Sequence, residues 1–384
     1  MSGANQVAVT NDDQAPASCL EQVSSETQYL RASDGLRLES GDFLADPVIA
    51  YRTWGDIANA GKRAVLICHA LTASADADRW WPDMIGPGAV FDPEHDFIIC
   101  SNILGSCYGT TGPASRRTSA GDRWRAGFPR ISVRDMVNLQ RLLIDELGIR
   151  RLDLVTGPSL GGMQALEWAA SYPERVRTIA PIGVGGRHSA WCIAISEAQR
   201  AAIYADADWN DGYYTDECPP RRGLAAARMM AVCTYRSWRG FQQRFARDGT
   251  DDDAFQMESY LRYQGEKFHQ RFDANCYVRL TQAMNDFDIA RGRGEYFDIL
   301  ESIGQPALVV SVSSDVLYPP FEQALLAKHL PNSQYRTLQT DDGHDGFLIK
   351  TGPLSALLSA FRRTAAIPGQ TPARAGEPLT AVAE

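Results

Sequence analysis

The chain has 384 residues, more than a simple single core needs, so one large domain with an insertion, or two domains, is expected. Its 44% hydrophobic share supports a sizeable core, and its net charge of −9 argues against a nucleic-acid-binding surface. No apolar run approaches the roughly 20 residues that cross a bilayer, the polar start is no signal peptide, and the cysteines form no CxxC pair. A cytoplasmic protein with reduced thiols and no zinc site is therefore expected.

Residues 1–30 and the tail 365–384 read as disordered ends. The apolar runs 64–69 and 97–100 suit strands of a buried parallel sheet. Ser132 caps a helix with Asp135 in its first turn; Met136, Leu139, Leu143 and Leu147 follow at helical spacing, and Gly148 stops it. Strand 152–156 leads into Gly157-Pro158-Ser159-Leu160-Gly161, and a run of helix formers follows to residue 170. Strand 176–182 comes next. From 188 to 302 strand texture gives way to helical stretches such as 223–235 and 255–268. Strand 307–312, helix 322–329, strand 335–338 and helix 354–362 complete the order. The expected architecture is α/β, with a mostly parallel central sheet built from 31–187 and 303–364. Residues 188–302 form a helical lid inserted into it.

Strand, sharp turn, helix around a GxSxG sequence is the setting of a nucleophile elbow, as found in the α/β-hydrolase fold. The turn forces Ser159 into a strained conformation, and the helix that follows aims free N–H groups at an anion beside it. A serine nucleophile needs a base, and the base needs an orienting acid. Of six histidines, His69, His95, His188, His269 and His329 lie at a strand end, in a turn, within the insertion or near a helix end. His344 alone occupies a polar loop after the last expected strand, where the chain order Ser…Asp…His places the base. Asp315 follows strand 307–312 and supplies the acid. The oxyanion donors are assigned to the N–H of Leu160, after the nucleophile, and to Leu71 in the loop His69-Ala70-Leu71-Thr72.

This much specifies an acyl-enzyme former but not its acceptor. The segments His69-Ala70-Leu71-Thr72, Gly109-Thr110-Thr111-Gly112-Pro113, Gly157 to Gln164, Ser259 to Gly265, Phe272-Asp273-Ala274-Asn275, Ser314-Asp315 and Gly343-His344-Asp345 resemble the homoserine O-acetyltransferase family, in order, from about residue 45 to 350. The resemblance implies an α/β-hydrolase fold and a ping-pong transfer from acetyl-CoA, as co-substrate, to L-homoserine, with no bound cofactor and no metal. It also implies that Arg228 holds the acceptor carboxylate, with Tyr235 two turns along the same helix face, that Asp345 meets the acceptor ammonium, and that the protein forms a homodimer through the insertion.

The chain departs from the family at Ala73, Asp76, Ala114-Ser115-Arg116-Arg117 and Tyr318. Alternatives on the same scaffold are an L-serine O-acyltransferase, a homoserine O-succinyltransferase, a deacetylcephalosporin C acetyltransferase-like enzyme and a plain serine esterase. A non-catalytic relative, or thiol chemistry at Cys107, stands further off.

Overall fold

The computed structural model describes residue 19 and residues 23–117, 121–250 and 254–365. The expected disorder of residues 1–18, 20–22 and 366–384 lies outside the described residues. Strands are β1 (Gln28–Arg31), β2 (Leu36–Arg37), β3 (Phe43–Leu44), β4 (Val48–Trp54), β5 (Ala64–Cys68), β6 (Phe97–Ser101), β7 (Leu152–Pro158), β8 (Val176–Ile182), β9 (Ala307–Val312) and β10 (Ser333–Leu338). Among the described residues, eight strands form one sheet in the order β1-β4-β6-β5-β7-β8-β9-β10, and β2-β3 form a separate hairpin. From β6 onward every neighbouring pair is parallel; β1–β4 and β4–β6 are antiparallel.

The parallel strands are buried on both faces. Along β5, Ala64, Leu66 and Cys68 join one hydrophobic cluster while Val65 and Ile67 join the other. Phe97 and Ile99 of β6 alternate with Ile98 and Cys100 in the same way. This two-sided burial explains why these strands read as unbroken apolar runs rather than alternating patterns. The disorder expected through residue 30 is corrected at β1, where Gln28 pairs with Tyr51 and Arg31 with Val48. All four β1 residues are half-buried at the sheet edge, so no apolar signal announces the strand.

The longer helices are α1 (Val133–Glu146), α2 (Leu160–Ser171), α3 (Ala190–Tyr204), α4 (Arg221–Tyr235), α5 (Trp238–Phe245), α6 (Gln256–His269), α7 (Ala274–Asn285), α8 (Tyr296–Ser302), α9 (Pro320–His329) and α10 (Thr351–Ala365). The cap expected at Ser132 is a full capping box: Ser132 Oγ accepts from Asp135 N–H at 3.1 Å, and the Asp135 carboxylate accepts from Ser132 N–H at 2.9 Å. Helices α3 to α8 all lie between β8 and β9 in the chain, and α4 packs against both α3 and α6. Among the described residues no helix is long and apolar enough to cross a membrane.

The chain order reverses around β5, which is flanked by β6 on one side and β7 on the other. In open α/β sheets the crevice beyond the carboxyl ends of the strands at such a switch point is where ligands bind. The loops after β5, β7, β9 and β10 carry Leu71, Ser159, Asp315 and His344 to that edge.

Candidate active site

Ser159 sits between β7 and α2 with φ 56° and ψ −123°, a left-handed backbone for a residue bearing a side chain. Its N–H is spent on the Ile182 carbonyl at 2.8 Å, tying the elbow to β8. The flanking glycines follow from a close approach to β5. A Cβ at Gly157 would lie 2.1 Å from the Cys68 carbonyl oxygen, and one at Gly161 would lie 2.0 Å from the same atom. No rotamer relieves a clash with backbone. Gly161→Ala is therefore expected to cost about 3 kcal/mol, read as a lowered urea midpoint. Gly304→Ala, where a Cβ meets nothing within 4 Å, stays within about 0.5 kcal/mol as the control.

His344 and Asp315 meet as expected, 2.6 Å apart from Nδ1 to Oδ2, with both residues buried. The other Asp315 oxygen accepts the backbone N–H groups of Leu317 at 2.8 Å and Tyr318 at 2.9 Å, which fix the carboxylate in place as an orienting group. The His344 ring centroid lies 5.9 Å from that of Tyr235, 5.3 Å from Tyr318 and 5.1 Å from Phe347. Burial, the largest influence, lowers its pKa. The Asp315 charge and hydrogen bond, with the Asp345 charge, outweigh burial and leave it raised. The His344 Nε2 atom is buried and has no hydrogen-bond partner among the described residues. It is the nitrogen left available for a reacting proton.

Four of the other histidines have side-chain partners of their own, His269 with Glu266 and His329 with Glu301 at the surface. His69 is fully buried, its Nε2 accepts the Ile103 N–H at 3.2 Å, and its Nδ1 therefore donates to the Ala70 carbonyl at 2.8 Å. Burial lowers its pKa to about 4, so it stays neutral and braces the loop that ends in Leu71 and Thr72. His188, also lowered to about 4 by burial and the Arg200 charge, engages the Tyr318 hydroxyl through Nδ1 at 3.1 Å. Tyr318, a departure from the family pattern, thus finds a partner for its extra hydroxyl. Asp76, another departure, is structural: it is 1% exposed, holds Arg52 at 3.2 Å and accepts the Ser24 N–H at 3.1 Å. Cys107 is buried, which pushes its thiol well above the usual range and removes it as a nucleophile.

Ser159, His344 and Leu71 line one open cleft of about 520 Å³, together with Arg228, Tyr235 and Asp345 from the acceptor end expected from the sequence. The Arg228 guanidinium lies 5.4 Å over the Tyr235 ring and 5.2 Å over the Phe268 ring, contacts that orient it without neutralising it. Asp345 is raised in pKa by burial, against the lowering charges of Arg236, Arg228 and His344. Sequence reasoning missed Arg236, whose Nη2 lies 3.3 Å from Asp345 Oδ2. It also missed Arg271, which donates to the Thr72 carbonyl at 3.0 Å and to the Tyr108 hydroxyl. Arg271 stands immediately before the quoted Phe272-Asp273-Ala274-Asn275 segment, the one signal that pointed near it. Away from the cleft, Asp92, Glu94 and His95 bring potential ligand atoms within 4.8 Å of one another; none of the three lines the cleft.

Leu160 opens α2, so its N–H is one of the four without an intrahelical partner. The cleft thus offers a strained serine, an oriented imidazole, a helix N-terminus and a cation beside a carboxylate. Acyl transfer is the chemistry these groups perform together.

The alpha/beta hydrolase fold family model matches residues 63–351. An acetylester hydrolase from Corynebacterium glutamicum superposes with a TM-score of 0.79 at 23% identity, covering 88% of this chain and 96% of its own. The homoserine O-acetyltransferase from Bacillus anthracis superposes with a TM-score of 0.82, also at 23% identity, covering 88% and 97%. Likeness at that level speaks for the fold alone, and the fold carries both kinds of protein. Sequence is more decisive. The homoserine O-acetyltransferase of Trichormus variabilis is 54% identical over 343 residues, covering 89% of this chain and 95% of the relative. By this measure the chain belongs to the homoserine O-acetyltransferase family, on the α/β-hydrolase fold.

Proposed function

We propose that this protein transfers the acetyl group of acetyl-CoA to the side-chain hydroxyl of L-homoserine, a step of methionine biosynthesis. The observation that carries the reading is 54% identity to a homoserine O-acetyltransferase across 89% of the chain, with Ser159, His344, Arg228 and Asp345 lining one cleft. In the first half-reaction His344 Nε2 takes the proton of Ser159 as its Oγ attacks the thioester carbonyl. The N–H groups of Leu160 and Leu71 stabilise the oxyanion, and the CoA thiol leaves with the proton. In the second half-reaction His344 takes the proton of the homoserine hydroxyl, which attacks the acetyl-serine. Collapse of that intermediate frees O-acetylhomoserine and returns the proton to Ser159. Asp315 holds the imidazole tautomer throughout.

Arg228 takes the acceptor carboxylate in a bidentate fork, and Asp345 meets its ammonium, exchanging Arg236 for the substrate. CoA enters as a co-substrate, and no resident cofactor or metal has a step in this scheme. The same reading includes a cytoplasmic location and a homodimer through the helical insertion; the exposed Trp238 (77%) and Tyr263 (58%) support that pairing surface.

The test is CoA release from acetyl-CoA with L-homoserine, L-serine, deacetylcephalosporin C or water as acceptor, repeated with succinyl-CoA. Release that depends on homoserine and is fastest with the acetyl donor supports the reading. Release indifferent to every acceptor would make the protein an esterase, as the shared backbone of an acetylester hydrolase allows. Arg228→Leu is expected to raise KM for homoserine about 10- to 100-fold, the worth of a charge-assisted pair. A KM unmoved in steady-state kinetics would remove Arg228 from the acceptor site.

A further inference from the structure

The protein as a whole is acidic, with net charge −9, yet the charged groups lining its cleft run the other way. Arg79, Arg228, Lys267 and Arg271 line it against the single carboxylate of Asp345. Arg228 and Asp345 belong to the acceptor end described above, which leaves three cations without a role in the chemistry. They come from two walls. Arg79 lies in the one-turn helix Ala77–Trp80 that follows the oxyanion loop on the core side. Lys267 lies near the end of α6, and Arg271 lies just beyond that helix, on the helical insertion.

Each is placed to meet an anion at the cleft. The Arg79 side chain is 60% exposed and pairs with Asp76 at 3.6 Å, which holds the guanidinium at the cleft wall. Lys267 is exposed on its helix. Arg271 is half-buried, with Nη1 committed to the Thr72 carbonyl and the Tyr108 hydroxyl, which anchors a positive charge beside the oxyanion loop. A local cluster of cations on an acidic protein is an electrostatic lure for a polyanion. The acetyl group itself is uncharged, and so is the pantetheine arm that carries its thioester. The only polyanionic portion of either substrate is the phosphorylated nucleotide end of the donor.

We propose that Arg79, Lys267 and Arg271 form the binding site for the phosphates of the acyl-CoA donor, spanning the core wall and the helical insertion. The inference rests on the acetyl-CoA reading and adds to it where the donor's nucleotide end lies. Binding the nucleotide between the two walls aims the thioester inward, toward Ser159 at the strand edge. It also gives the insertion a part in donor recognition that is separate from its part in acceptor recognition.

The test is calorimetric binding of CoA, dephospho-CoA and pantetheine to the full chain, for the wild type, Lys267→Gln and the Arg79→Gln/Lys267→Gln double variant. Exposed positions are chosen so that folding is not at stake, and Arg271 is left in place because it also holds Thr72. CoA affinity is expected to fall about fivefold in the single variant and about twentyfold in the double. Pantetheine affinity does not follow, and added salt narrows the gap between the two ligands. A loss specific to CoA assigns the 3′-phosphate; a loss shared with dephospho-CoA assigns the diphosphate. Equal CoA affinity in all three proteins overturns the inference, whether or not acetyl moves. Weakened CoA binding in the variants, with no acetyl reaching homoserine in the wild type, overturns the acetyltransferase reading and leaves the phosphate site standing.

Discussion

Ser159→Ala is expected to lower kcat for acetyl transfer about 10⁶-fold, because the acetyl group then has no protein atom to occupy. Ser159 is the residue at the strained turn, with φ 56°, and its hydroxyl lines the cleft immediately before the N-terminus of α2. Alanine keeps the turn, since the Ser159 N–H bond to Ile182 is backbone, so stability changes by no more than about 1 kcal/mol. Mass spectrometry of the protein mixed with acetyl-CoA alone checks the cause. The wild type gains one acetyl group on the peptide containing Ser159, and the variant gains none. An acetyl group trapped on another residue, or a variant that still turns over, would sink the assignment.

Asp315→Asn is expected to cost about 10⁴-fold in kcat, because an amide holds the imidazole in the wrong tautomer. It also predicts a shift in the pH profile whose sign follows from the causes of the His344 pKa. His344 works as a base only when neutral, so activity rises as pH climbs through its pKa. In the wild type that pKa is raised: burial lowers it, but the Asp315 charge and hydrogen bond and the Asp345 charge overcome burial. With asparagine, the Asp315 contributions vanish and burial weighs more heavily. The acidic limb of kcat/KM therefore moves to lower pH in the variant, while the plateau falls. A limb that stays in place would mean that His344 is not the group titrating there.

The chemistry of this site was legible in the chain for identifiable reasons. The elbow announces itself because an apolar strand, two glycines and a helix-forming run are contiguous, and contiguous signals survive without tertiary information. His344 emerged by elimination from only six histidines, and Asp315 from its place after a strand. The structure brings those two together across 29 residues at 2.6 Å. Strand β1 escaped because an edge strand of half-buried residues lacks the apolar run by which the interior strands were recognised. Arg236 and Arg271 escaped for a different cause. A charged residue on a helix reads as a solvated one, and the partner of Arg271 at Thr72 is 199 residues away.

The sequence by itself determined the order of the parallel strands and of the helices between them, the strand–turn–helix setting of Ser159, and the candidates Asp315 and His344. Each is written in local periodicity, in turn chemistry or in chain order. Only the tertiary structure decided what those groups meet: the Cys68 carbonyl that leaves no room for a Cβ at Gly157 or Gly161, the aromatic rings around His344, the Arg236 that pairs with Asp345, and the cations that face one cleft from two walls. The physical reason is that a side chain's local neighbours fix its backbone, whereas its charge and hydrogen-bond partners come from elements that are close only after the sheet and its insertion have packed.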